Sequence, residues 1–185
     1  MKDWTTTKKI LQETQEMAAV EAQTSVPRGA SDDSSAVLKQ RNTWDCSICC
    51  MAMATGRSYE DVLEVYLSSP DDARRWELGI GTSTTSVLRV LTLLGWKPVM
   101  THGVALSYVG IVSVASINFP GKLHHVYWDG QKVMDPSTLQ THDEKSMLLG
   151  ACDFITNYST EFQGVLDWEQ QEYRKYSEEA EIMYG

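Results

Sequence analysis

The chain has 185 residues, of which 42% are apolar, and it carries a formal net charge of −9. That length and apolar share suit one globular domain with appendages. The acidic balance argues against general affinity for nucleic acid or anionic membrane surfaces, which reward basic patches, and no stretch approaches the ~20 apolar residues of a membrane-spanning helix.

Residues 1–23 read as a short helix with apolar points at Ile10, Leu11, Met17 and Val20. This segment has basic residues but no continuous apolar run, so it does not read as a secretory signal. The expected location is the cytoplasm, where thiols stay reduced. Residues 24–38, TSVPRGASDDSSAVL, are rich in Ser, Asp, Pro and Gly and read as a linker or surface loop. The expected division is 1–38 for this appendage, 39–158 for a compact domain and 159–185 for an acidic end.

In the compact part, residues 46–55 mix small and apolar residues and stop at Gly56, a helix terminator. Ser58 then caps a second helix whose first turn holds Glu60 and Asp61, where carboxylates meet the positive end of the helix dipole. Ser68-Ser69-Pro70 ends that helix, and a charged segment follows. A further helix is predicted from about residue 85 to 94, entered through Thr82-Ser83 and closed by Gly95.

From Trp96 onward the pattern becomes that of strands, at residues 97–101, 110–118, 123–128 and 132–135. Helices followed by strands predict an α+β fold with an antiparallel sheet. Residues 160–185 carry seven acidic and two basic residues, which reads as a solvated amphipathic helix.

Two stretches carry chemistry. The first is QRNTWDCSICC, residues 40–50, with Cys46, Cys49 and Cys50 close together. A zinc knot would need a second ligand pair of regular spacing, and none is present. A thioredoxin-like redox pair would follow a buried strand, whereas the preceding RNTWD is polar. Cys49 and Cys50 read as packing residues. Cys46 opens a helix, where the dipole and free amide groups favour a thiolate.

The second stretch is LHHVYWDGQKVMDPS, residues 123–137. Asp129-Gly130 between two strand-like runs predicts a two-residue hairpin loop. Trp128 would then face Gln131, His124 would face Asp135, and His125 would face Met134 on the other side. A carboxylate beside an imidazole fixes its tautomer and stabilises its protonated form. His102 and His142 show no partner pattern, and His125 reads as a surface or packed residue.

The ordered set Gln40…Asp45-Cys46, His124-x-Val126 and Asp135-Pro136 resembles the papain-like cysteine peptidases. It looks most like the bacterial peptidases that process double-glycine leader peptides and their small phage and bacterial relatives. TGRSYEDV, directly after the first helix, is similar to that group too. The likeness covers roughly residues 39–138. It implies a papain-like α+β fold, with Cys46 as nucleophile, His124 as base, Asp135 as its orienting partner and Gln40 as oxyanion donor. Trp44, Asp45 and Ser47, which flank the nucleophile, are the expected substrate contacts. The family usually has Gly after the cysteine, where this chain has Ser47.

The expected activity is therefore hydrolysis of a peptide or isopeptide bond in a protein or peptide substrate, with no cofactor, no metal, no nucleic acid and no membrane. The same residues could serve a deamidase or transglutaminase. They could also be kept by a binding or inhibitory factor acting on a host protein, in the host cytoplasm if the chain is phage-encoded.

Overall fold

The computed structural model describes residues 36–102 and 108–159. The expected N-terminal helix, the linker up to residue 35 and the acidic helix from residue 160 lie outside the described residues.

The first helix, α1 (Cys46–Thr55), is buried at every position from Cys46 through Ala52. A helix that is apolar or small on all sides belongs inside. It ends at Gly56, whose φ of 65° is the left-handed conformation that glycine adopts without strain. Two amphipathic helices cover it: α2 (Tyr59–Leu67), capped by Ser58 as predicted, and α4 (Thr84–Leu93), capped by Ser83. Ile48 and Met51 of α1 pack with Val62 and Tyr66 of α2 and with Val87 and Leu91 of α4.

The expected charged segment after Ser69 is a helix, α3 (Pro70–Glu77). Pro70 opens it rather than stopping the one before, because proline's missing N–H costs nothing in the first turn. The helix docks through a carboxylate. Buried Asp72 accepts from Ser86 Oγ at 2.6 Å and from Arg89 at 3.0 Å, both on α4. A polar docking face leaves no apolar stripe in the sequence.

The strands are β1 (Pro98–Thr101), β2 (Gly110–Ala115), β3 (Leu123–Trp128), β4 (Val133–Met134) and, after helix α5 (Glu144–Gly150), β5 (Ala151–Asn157). They form one sheet in the order β1-β5-β2-β3-β4, with every pair antiparallel. The α+β class with an antiparallel sheet is as expected. The final helix and strand were not, and β5 lies in the middle of the sheet. Its four consecutive buried residues, Asp153 to Thr156, include two polar ones, so it lacks the alternation of a strand with one wet face. One face of the sheet, through Ile111 and Ile155, meets α1, α2 and α4. The other gathers Val112, Val126, Phe154 and Trp128 with Met147 of α5.

The β3–β4 hairpin is wider than predicted. Tyr127 pairs with Met134 and Trp128 with Val133, so Trp128 does not face Gln131. Asp129 Oδ1 accepts from the amides of both Gln131 and Lys132 at 2.8 Å, and this side-chain turn lengthens the loop to residues 129–132. Asp135 therefore lies just past the ladder instead of directly opposite His124, and His125 pairs with Ser113 of β2 instead of Met134. The slip from Gln131 to Val133 is an even number of residues, so the alternation of faces is kept.

At Gly110 of β2 there is no room for a side chain against β5. A Cβ there would sit 2.5 Å from the Ile155 carbonyl and 2.7 Å from the Phe154 ring. Gly110→Ala is expected to destabilise the fold by about 1–3 kcal/mol, read as a lowered denaturation midpoint; an unchanged midpoint would contradict the close approach.

Candidate active site

Cys46 is the first residue of α1, preceded by a loop that Asp45 holds in place. The Asp45 carboxylate accepts from the amides of Arg41 at 3.1 Å and Asn42 at 3.2 Å and from the Tyr59 hydroxyl at 2.6 Å. It is fully buried and does not line the groove described below, which corrects the expectation that Asp45 contacts substrate. With its oxygens turned back toward the loop and α2, it makes no side-chain cap on α1. The thiol therefore keeps the helix start to itself.

Both neighbouring imidazoles of β3 reach Cys46. Strand alternation sends His124 and His125 to opposite faces, but β4 stops at Met134 and leaves this margin of β3 free for the start of α1. Burial alone would push the Cys46 thiol up. The neighbouring His124 and, after it, His125 outweigh it and bring the pKa down to about 5. His124 is opposed by its own burial, but its bonds to Asp135 and Cys46 raise it to about 9. Its Nε2 donates to Asp135 Oδ1 at 2.8 Å, which leaves Nδ1 for the sulfur. Burial works against the Asp135 charge, yet the bond from His124 and the amide N–H groups of His142 and Ser137 hold it well below the usual carboxylate range. Both shifts favour thiolate beside imidazolium over the neutral pair.

Cys49 and Cys50 are completely buried, as the packing assignment expected. Burial drives Cys49 up to about 12 and Cys50 well above the ordinary thiol value, so both remain neutral.

Ser47 is 1% exposed; its Oγ meets His125 Nδ1 at 2.9 Å and accepts from Thr82 Oγ1. The hydroxyl standing where glycine was expected thus fastens the second histidine and the loop before α4 to the helix start. Gln40 donates its backbone N–H to the Pro136 carbonyl at 2.8 Å, which sets its side chain beside the Asp135 segment. Its Oε1, like Trp44 Nε1, is buried without a partner among the described residues. The Trp44 ring packs edge-on to Trp76 and lies against Gly79, where an added Cβ would come within 3.5 Å of it.

These residues floor an open groove of about 820 Å³. One wall runs from Trp44 through Ile80 to Thr82, and the other from Phe119 to Leu123; Gln40, Cys46, Ser47, His124 and His125 lie along it as well. Ile80, Phe119 and Leu123 are exposed apolar side chains.

Sequence reasoning missed three participants. His125 reads from the sequence as a surface or packed residue, but it bonds Ser47 Oγ beside Cys46 and helps draw the Cys46 pKa down. Thr82 was read only as part of a helix entry. His142, assigned no role, donates to Asp135 Oδ2 from both its amide at 2.7 Å and its ring Nδ1 at 2.9 Å. His124, Asp135 and His142 present ligand-type atoms within 4.8 Å of one another, a set that could hold a cation. Hydrogen bonds between those same atoms account for their closeness.

Comparison with protein-family models, with curated proteins and with solved structures gave no match. Among the described residues no helix is long and apolar enough to cross a membrane.

The site's electrostatics give a pH signature that needs no substrate. Alkylation of Cys46, followed by peptide mapping, is expected to switch on as pH rises through about 5 and to change again near 9 as His124 loses its proton. Asp135→Asn should move the lower limb upward, because the imidazolium loses its counter-charge. A single transition near the ordinary thiol value in the unaltered protein would contradict the ion pair.

Proposed function

We propose that the protein is a papain-like cysteine hydrolase acting on a peptide or isopeptide bond of a protein or peptide substrate. The observation that carries this reading is Cys46 at the buried start of α1 beside His124, whose Nε2 donates to Asp135 Oδ1 at 2.8 Å. In the proposed cycle the Cys46 thiolate adds to the carbonyl carbon, and the resulting oxyanion takes hydrogen bonds from the Cys46 backbone N–H and the Gln40 side-chain amide. Collapse expels the amine, which takes the proton from His124 and leaves a thioester on Cys46. His124 then takes a proton from water as the water attacks that thioester. The acid departs, the thiolate is restored, and the proton stays on His124. Trp44 and the apolar rim of Ile80, Phe119 and Leu123 would face the substrate chain.

A second reading draws on the burial of Cys46, which is 8% exposed. A binding or inhibitory factor could keep this scaffold without turning over a substrate. Deamidation or transglutamination would use the same residues with a different leaving group or acceptor.

A peptidyl electrophile that mimics an acyl group is expected to modify Cys46 selectively over Cys49, Cys50 and Cys152, and Cys46→Ala is expected to abolish both labelling and the biological effect. Full biological effect in Cys46→Ala would sink the catalytic reading in favour of binding. Gln40→Ala should slow turnover roughly 100–1000-fold, the usual cost of one oxyanion donor, while leaving simple alkylation of Cys46 intact. Equal loss of both would place Gln40 in the architecture of the loop instead.

A further inference from the structure

Asp135 is held from two sides, and the proposed triad uses only one of them. Oδ1 accepts from His124 Nε2 and from the Ser137 amide, each at 2.8 Å. Oδ2 accepts from the His142 amide at 2.7 Å and from His142 Nδ1 at 2.9 Å. The far nitrogen of His142, Nε2, lies 3.0 Å from the Ala115 carbonyl at the end of β2. The His142 side chain is 1% exposed, and its ring stacks on that of His124 with centroids 5.6 Å apart and planes 16° apart.

We infer that His142 is a positioning residue for the proposed reaction: it fixes the Asp135 carboxylate between β2 and β3 so that Oδ1 stays aimed at His124. The inference rests on the cysteine-hydrolase reading and adds to it a second histidine behind the triad.

Hydrogen-bond chemistry makes the arrangement directional. An ionised carboxylate and a peptide carbonyl are both acceptors only, so each contact of His142 takes an N–H from the ring. Both are satisfied together when both nitrogens carry a proton. The ring then spans from Asp135 to Ala115, and the carboxylate cannot rotate about its Cβ–Cγ bond without breaking the Nδ1–H bond. The remaining charges near His142 are few. Asp143 follows it in the chain, His124 is stacked on it, and the Lys39 ammonium bonds the backbone carbonyls of Asp135 and Ser137 at 3.0 Å each. Without the His142 ring, Asp135 would keep its two partners on Oδ1 and the residue-142 amide on Oδ2, but lose the Nδ1–H bond and with it the tie to β2.

The test separates the two ring nitrogens. An Asn amide nitrogen reaches as far along the side chain as Nδ1, and a Gln amide nitrogen as far as Nε2. Every variant keeps the backbone amide bond to Asp135; of the side-chain contacts, His142→Asn keeps the one to Asp135, His142→Gln the one to Ala115, and His142→Phe the stack alone. The readout is the pH profile of Cys46 alkylation in the full chain, with exposed Cys152 as internal reference and circular dichroism confirming the fold.

His142→Asn is expected to keep the lower limb of the unaltered protein, near pH 5. His142→Gln and His142→Phe are expected to move it up by about one unit, seen as roughly tenfold slower alkylation at pH 4. If His142→Phe fails to fold, His142→Gln decides alone. A Gln variant that folds and keeps the original limb overturns the inference, as does an Asn variant that shifts as far as the Gln one. These results differ from failure of the underlying reading, which would appear as no low limb in the unaltered protein.

Discussion

The structure depends most on a single buried anion. Asp135 lies at the end of the shortest strand, almost without solvent, and an unpaired carboxylate there would cost several kcal/mol. Its four hydrogen bonds come from His124 on β3, the Ser137 amide and His142, which in turn reaches Ala115 on β2. Meeting the needs of that charge joins β2 and β3 to the segment that follows β4. The raised pKa of His124, and through it the lowered pKa of Cys46, follow from the same charge.

Two other buried carboxylates show the same residue type put to different work. Asp45 gathers backbone amides and the Tyr59 hydroxyl, and so holds the loop that presents Cys46 against α2. Asp72 fastens α3 to α4 through Ser86 and Arg89. The groove wall around Ile80 hangs between those helices, where Arg75 of α3 donates to the Gly81 carbonyl at 2.6 Å. In a chain with an excess of acid, charge is therefore not confined to a solvated face. The mean composition conceals this, because what matters is which carboxylates find donors.

Much of the fold was legible where the periodicity was apolar. α1, α2 and α4 were foreseen with their caps, since Ser58, Ser83 and Gly56 act locally, and the start and end of β3 could be read directly. The helix α3 and the strand β5 were not legible, because their buried faces include Asp72, Asp153 and Thr156. The hairpin register failed for a different reason. Asp129 was taken as a turn residue for its backbone, whereas its side chain caps a longer loop. In the site, the pairing of His124 with Asp135 could be anticipated because face alternation survives an even slip. The contribution of His142 could not, since it follows Asp135 by seven positions along irregular chain and no period relates them.

The order of the strands has a consequence for how the site comes into being. β5 is the last strand in the chain, yet it lies between β1 and β2, which have no ladder with each other. During synthesis the earlier strands emerge with their inner edges unpaired, and the sheet closes only when residues 151–157 arrive. Cys46, His124 and Asp135 are all made well before that moment. The thiol is present early, but the sheet that aligns its partners is complete only after β5 joins. Such non-local pairing is also slow to form, so the sheet that carries His124 is completed late by its topology alone.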